Sequence, residues 1–101
     1  RKGHQYMTQV YDLDHKRLLV GKREYEGIEL EPFLDEHGIE GNIITFIADD
    51  GYELTLERDK YLKDSAIKKE NRTLIGKNMK LGNWMKHIKE IRGRNKRIIF
   101  L

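Results

Sequence analysis

Hydrophobic and polar positions change period several times along the chain, and each change predicts a different element. Residues 6–13 mix aromatic and β-branched side chains with polar ones, and residues 17–20 resume an apolar run. These segments predict a first strand or hairpin around a turn at residues 14–16. Residues 22–26 are charged and predict an edge strand, which Gly27 is expected to end.

The next segment has the spacing of a short helix. Leu30, Phe33 and Leu34 lie at positions i, i+3 and i+4, which places them on one helical face. Pro32 is suited to the first turn, and Gly38 is suited to the C-terminal end. The pattern predicts a helix that ends at this glycine.

A hairpin is predicted in the middle of the chain. Residues 42–48 are apolar at neighbouring as well as alternating positions, which favours a central strand covered on both faces. The sequence Asp49-Asp50-Gly51 supplies a turn residue followed by glycine. Residues 52–56 alternate between polar and apolar and therefore predict the partner strand.

The C-terminal half contains shorter patterns. Trp84, Ile88 and Ile91 lie at positions i, i+4 and i+7, which favours a short amphipathic helix, and a helix that continues into a strand near Ile88 is the alternative. Residues 97–101 predict a terminal strand. One or two helical turns are predicted at residues 57–64, and short strands are predicted at residues 66–69 and 73–75.

These elements predict one α+β domain over residues 1–101, with a β-rich mixed sheet core and short helices. The chain contains no run of about 20 apolar residues of the kind that spans a membrane. It also contains no cysteine, which excludes disulfides, thiolate metal ligands and cysteine nucleophiles. The four histidines lack metal-ligand spacing, so neither a metal site nor a catalytic site is predicted.

Charge is unevenly distributed along the chain. Residues 68–97 contain eleven Lys or Arg and two Glu, a net charge of +9, whereas the other residues contain nine basic and fifteen acidic side chains, a net charge of -6. This basic third favours an anionic small molecule or a protein partner. Nucleic-acid binding through phosphate contacts and aromatic stacking is the alternative.

Two glycines flank a lysine-containing segment within this basic third. The sequence from Gly76 to Gly82 reads Gly-Lys-Asn-Met-Lys-Leu-Gly. Backbone amides and lysines of such a loop can receive an anion, although the spacing matches no phosphate-binding glycine motif. A solvated connection between two elements is the alternative interpretation.

Three stretches resemble a known family. Residues 25–39 begin Tyr-Glu-Gly-Ile-Glu-Leu and end His-Gly-Ile, and residues 43–52 end Asp-Gly-Tyr. In order and spacing they resemble the molybdopterin-binding domain of the sulfite-oxidase-like oxidoreductases. Residues 81–91 are similar to the late glycine-x-tryptophan region of that family. The alternative is that the matched glycine, apolar and aromatic residues only build a scaffold.

The resemblance implies a mixed α+β fold but does not carry over the family's catalysis. Those oxidoreductases hold molybdenum through a cysteine thiolate, and this chain has no cysteine. We therefore expect a non-catalytic binding or accessory domain without a resident cofactor, for which a pterin-type ligand is one candidate. The family also implies a location outside the cytoplasm. Motif placement and positive charge identify the candidate ligand-binding residues as Asp50, Tyr52, Lys77, Lys80, Trp84 and Lys86.

Overall fold

The computed structural model describes residues 7–13, 17–20 and 23–101, which form nine strands and two short α-helices. The strands are β1 Met7–Tyr11, β2 Arg17–Val20, β3 Arg23–Glu29, β4 Ile43–Ala48, β5 Glu53–Glu57, β6 Ser65–Lys68, β7 Thr73–Gly76, β8 Ile88–Arg92 and β9 Lys96–Phe100. The helices are α1 Leu30–Glu36 and α2 Arg58–Tyr61. The prediction of an α+β fold with a β-rich core and short helices is confirmed at this level.

The strands form two sheets. Sheet I has the order β1-β9-β8-β4-β5, and sheet II has the order β2-β3-β6-β7. β1 and β9 are parallel, and every other described pair is antiparallel. The predicted first strand is confirmed, but a hairpin between β1 and β2 is wrong because they belong to different sheets. The turn predicted at residues 14–16 lies outside the described residues.

The inner faces of both sheets pack into one hydrophobic cluster. Sheet I contributes Phe46, Ile91 and Ile98, and sheet II contributes Ile28 and Ile67. Because residues from both sheets are buried in the same cluster, neither sheet face is stable in water without the other.

Helix α1 covers part of this cluster as its sequence predicts. Leu30, Phe33 and Leu34 are all buried. At the C-terminal end, Ile39 N–H donates to the Leu34 carbonyl over 2.9 Å. Gly38 adopts a φ of +69°, a conformation that favours glycine after a helix.

The hairpin between β4 and β5 is also confirmed. Gly51 N–H donates to the Ala48 carbonyl over 2.9 Å, and Gly51 adopts a φ of +91°. β4 lies between β8 and β5, so it is central in sheet I. The prediction that both of its faces are covered is wrong, because Phe46 points into the core whereas Ile43, on the other face, is 55% exposed.

Gly27 does not end a strand. β3 continues through Gly27 to Glu29, so the strand predicted at residues 22–26 does not end where it was expected to end. It also lies between β2 and β6 and is therefore not an edge strand. Lys22 lies outside the described residues. A Cβ atom at position 27 would overlap the carbonyl oxygen of Ile67. Glycine therefore permits the close approach of β3 and β6 rather than a break.

The predicted helix over Trp84, Ile88 and Ile91 is wrong, and the alternative of a strand near Ile88 is the better description. Residues 88–92 form β8, whose register against β4 shifts so that Ala48 pairs with Ile88 and Ile47 pairs with Glu90. This bulge inserts one extra residue and leaves Ile88 and Ile91 on the core face three residues apart. A bulged strand thus imitates the spacing of a helix.

The shorter predictions hold. One helical turn, α2, lies within residues 57–64, and β6 and β7 cover most of the two predicted short strands. β9 matches the terminal strand predicted at residues 97–101. The observed strand begins one residue earlier, at Lys96, and ends at Phe100.

The position of Gly27 gives the first prediction. In Gly27→Ala, we expect the free energy of unfolding to fall by about 1–3 kcal/mol, because the added methyl group meets the backbone of β6. Urea denaturation measures the change. Gly82→Ala is the matched control, since nothing lies within 4 Å of a Cβ atom there; its change should stay within about 0.5 kcal/mol. Equal effects of the two substitutions would contradict the close approach.

Candidate functional site

The segment between β7 and β8 carries four of the six candidate residues. We call residues 77–87 the lysine loop. It contains a 3-10 turn at Leu81–Asn83 and presents three exposed lysines and one half-buried tryptophan. These are Lys77, Lys80, Lys86 and Trp84.

Buried side chains and hydrogen bonds hold the lysine loop against the fold. Met79 and Met85 are 8% and 7% exposed and belong to the hydrophobic cluster. Leu74 N–H donates to the Met85 carbonyl over 2.8 Å, so the loop runs along the outer edge of β7. Asn78 Nδ2 donates to the Lys63 carbonyl over 3.2 Å. The loop lysines therefore extend from an ordered backbone.

Trp84 joins the loop to the core. Its ring packs against the main cluster and against the smaller cluster of Ala66 and Ile75. Its Nε1 atom is buried and has no hydrogen-bond partner among the described residues. An unpaired buried N–H typically costs about 1–3 kcal/mol. The structure therefore gives this candidate a packing role, with a donor that the fold leaves unused.

Two candidates, Asp50 and Tyr52, lie at the β4–β5 turn. The Asp50 carboxylate accepts a hydrogen bond from Tyr52 N–H over 3.0 Å, and the Tyr52 side chain is 62% exposed. Asp49 N–H donates to the His87 carbonyl over 2.9 Å, which brings Lys86 to the same end of the molecule. Asp50 is thus used within its own turn.

The six candidates therefore do not form one site. Asp50, Tyr52 and Lys86 lie near the end of β4, at Ala48. Lys80 lines a groove together with Ile43, which begins the same strand at its opposite end. Trp84 lies between the two ends of the loop, half-buried against the core. The sequence predicted the six as one ligand-binding set and could not resolve that they lie at two ends of the fold.

A hydrogen-bonded network beside the turn was missed by sequence reasoning. The Arg72 guanidinium donates to the Asp49 carboxylate over 2.9 Å and to the Ile88 carbonyl over 2.7 Å. His87 N–H donates to the Asn71 carbonyl over 2.6 Å. Together these bonds tie the start of β7 to the start of β8.

The same network contains backbone strain. Asn71, Arg72 and His87 adopt φ angles of 56°, 44° and 59°. Asparagine tolerates the left-handed region, so Asn71 was the residue from which the sequence could have indicated a positive φ here. Arginine and histidine adopt it at a cost that the surrounding hydrogen bonds must offset.

A groove of about 660 Å³ lies between β5 and the lysine loop. Leu54, Thr55 and Leu56 of β5 line it together with Asn78, Lys80 and Asn83 of the lysine loop. Ile43, Glu57 and Tyr61 complete the lining. Apolar side chains and amide and ammonium donors therefore share one groove. Its existence depends on the long-range placement of the loop, for which the sequence offers no local signal.

The basic third is only partly available for binding. Five of its eleven basic residues form ion pairs with described carboxylates. These pairs are Lys68 with Glu70, Arg72 with Asp49, Arg92 and Arg97 with Glu90, and Arg94 with Glu40. By contrast, Lys77, Lys80, Lys86 and Lys89 make no ion pair with any carboxylate in the described part of the chain.

No family model, curated protein or solved structure matches this chain. Among the described residues, no three His, Cys, Asp or Glu side chains are grouped to hold a metal ion, and no helix is long and apolar enough to cross a membrane. The molybdenum centre implied by the family resemblance requires a thiolate ligand. The residues of this chain do not fit that centre, because the sequence contains no cysteine.

The unused donor of Trp84 gives a prediction. In Trp84→Phe, we expect the free energy of unfolding to change by no more than about 1 kcal/mol, because the ring packing is largely kept and the unpaired N–H is removed. Trp84→Ala is the comparison and should lose about 3 kcal/mol through the cavity that it leaves. Urea denaturation measures both, and an equal loss in the two variants would show that Nε1 has a partner.

Proposed function

We propose that this chain is a non-catalytic binding domain whose lysine loop captures a negatively charged group of a ligand or partner. One observation carries the proposal: Lys80 lines the groove, and neither Lys80 nor Lys77 is neutralised by a described carboxylate. Lysines at ordinary surface positions are also unpaired, but these two extend from a loop that buried methionines hold in place. An ordered backbone reduces the entropy lost on binding.

The proposal includes a shared fold with the molybdopterin-binding domain of sulfite-oxidase-like enzymes. What supports it is the set of sequence motifs, which include the glycine that follows helix α1, Gly38, and the glycine of the β4–β5 turn, Gly51. The location outside the cytoplasm is likewise only implied by the resemblance. A pterin-type ligand is one anion among those that the lysine loop could receive.

Nucleic-acid binding has less support. Strand alternation distributes the basic third over different sides of the fold: Lys96 Nζ donates to the His37 carbonyl over 2.6 Å, whereas Arg92 and Arg97 pair with Glu90. A phosphate backbone needs a continuous row of available cations. The ion pairs remove several members of such a row.

The lysine loop is tested by neutralising Lys80, which lines the groove, together with Lys77 of the same loop. Isothermal titration of the wild-type protein with inorganic pyrophosphate and with a hexaglutamate peptide should detect binding of at least one probe. In the double variant Lys77→Gln/Lys80→Gln, we expect affinity to fall by about tenfold or more, because two charge-assisted contacts are lost. Both side chains are exposed, so the melting temperature should hardly change.

Arg23→Gln is the matched control, since Arg23 is an exposed cation on sheet II. Its affinity for the same probe should equal that of the wild type. An equal loss in the control would show that net charge rather than the lysine loop determines binding. If the wild-type protein binds neither probe, the proposed function is wrong.

A further inference from the structure

β5 lies at one edge of sheet I, and its pairing with β4 fixes which backbone groups face outward. Ala48 N–H donates to the Tyr52 carbonyl over 2.9 Å at one end of the ladder, and Arg58 N–H donates to the Asn42 carbonyl over 2.6 Å at the other. Hydrogen-bonded and non-hydrogen-bonded pairs alternate in an antiparallel ladder. The bond at each end of the ladder identifies the same set of β5 residues as hydrogen-bonded to β4.

By this alternation, Leu54 and Leu56 are the residues of β5 whose backbones bond to β4. The N–H and C=O groups of Glu53 and Thr55, and the N–H of Glu57, point away from β4. Within the described part of the chain, none of these five groups has a backbone partner outside the sheet. β5 therefore presents a row of donors and acceptors along a free edge.

The groove runs along this edge. Its lining includes Thr55 of β5 and Lys80 and Asn83 of the lysine loop. The outer edge of sheet II at β7 differs, because the lysine loop covers it through the bond between Leu74 N–H and the Met85 carbonyl. Of these two edges, only β5 combines free backbone groups with an adjoining groove.

We infer that the β5 edge binds an extended segment of a partner protein as an added strand, with a carboxylate of that segment paired to Lys80. This inference rests on the proposed function, because Lys80 supplies the charge in both, and it names the class of partner. Main-chain hydrogen bonds to a sheet edge provide affinity, and alternate side chains of the added strand provide specificity.

Charge around the edge defines the sequence of such a segment. Side chains of an added strand that lie on the outer face would stand beside Glu53 and Glu57, where a further carboxylate is repelled. Side chains that point into the groove would meet Leu54, Leu56 and Lys80, and an acidic one must lie nearer Lys80 than Glu57, which also lines the groove. The partner strand therefore has neutral or basic residues on one face and apolar and acidic residues on the other.

The same glutamates disfavour a second copy of this chain as the occupant. Antiparallel pairing of two β5 strands centred on Thr55 would place Glu53 of each copy opposite Glu57 of the other. Like charges directly opposite each other destabilise a strand pair. The edge is thus protected against self-association while it remains open to a strand of complementary charge.

The test uses the capped peptide acetyl-Thr-Glu-Thr-Val-Thr-Glu-Thr-amide, whose threonines suit the outer face and whose other residues suit the groove. The matched control peptide carries N-methyl groups on its third and fifth residues, which removes the N–H donors that would face β5 and keeps every charge. Isothermal titration should show that the control binds about tenfold or more weakly than the unmodified peptide, since buried strand hydrogen bonds are lost.

Hydrogen exchange gives a residue-level readout on the whole protein. When the unmodified peptide is bound, the amide protons of Glu53, Thr55 and Glu57 should exchange at least about tenfold more slowly, because they become strand donors. Leu54 and Leu56 should show a smaller change, because β4 already protects their amides. Uniform protection, or none, along β5 would overturn the inference.

A variant of the protein tests strand pairing by removing a hydrogen-bond donor from β5 instead of from the peptide. Thr55→Pro removes an N–H that faces away from β4, whereas Thr55→Val keeps it together with the β-branched shape. The proline variant should lose about tenfold or more in affinity for the peptide, and the valine variant should match the wild type. If Thr55→Pro fails to fold, the methylated peptide still decides the question with the unchanged protein.

Failure of this inference is distinguishable from failure of the proposed function. If both peptides bind equally and Lys77→Gln/Lys80→Gln weakens both, the lysine loop captures an acidic partner without strand pairing, and the strand inference is wrong. If the wild-type protein binds neither peptide, nor pyrophosphate, nor hexaglutamate, both proposals are wrong. A dimer in sedimentation that Thr55→Pro abolishes would identify a second copy as the occupant and overturn the inference.

Discussion

The rest of the structure depends on the burial of two sheet faces in one hydrophobic cluster. Because the two sheets are built from different strands of one chain, the chain must cross between them. One such crossing leaves the outer edge of sheet II at Gly76 and enters the interior of sheet I at Ile88. The lysine loop makes this crossing, covers the β7 edge, and buries Met79 and Met85 on the way. Lys80 is fixed beside β5 in the groove as a consequence of core packing. The candidate groove is therefore a product of how the sheets are joined rather than of a local motif.

Local chemistry determined which elements could be predicted from the sequence. The turn at Gly51 and the end of α1 at Gly38 follow from residues that the backbone needs at those points, and both occur as predicted. Prediction failed where a long-range partner decides the outcome. The bulge in β8 gives Ile88 and Ile91 a helical spacing, and the close approach of β6 makes Gly27 a strand residue. The segment from Gly76 to Gly82 was recognised as a loop, but the part of the lysine loop from Trp84 was assigned to a helix, and the groove and the strained network were not predicted.

A linear run of charge did not become one charged face. Alternation in β8 and β9 sends successive side chains to opposite sides of sheet I, so Arg97 pairs with Glu90 whereas Lys96 reaches the His37 carbonyl. Glu90 is buried and sits between Arg92 and Arg97, which uses two cations of the basic third for internal pairing. Net charge over a sequence segment therefore overstates the cations available to a ligand. The loop lysines remain available because an irregular segment has no cross-strand partner to neutralise them.

The β5 edge combines two requirements that usually conflict. A free strand edge in water invites pairing with other copies, and charged side chains are a common protection against it. On β5, Glu53 and Glu57 flank Thr55 and give a strand of the same sequence two repulsive pairs. Thr55, which lies between these charges, lines the groove, and so does Lys80. Repulsion by Glu53 on the outer face and attraction by Lys80 in the groove act on different faces of an incoming strand. An edge of this kind can therefore reject its own sequence and accept a strand whose two faces carry different charge.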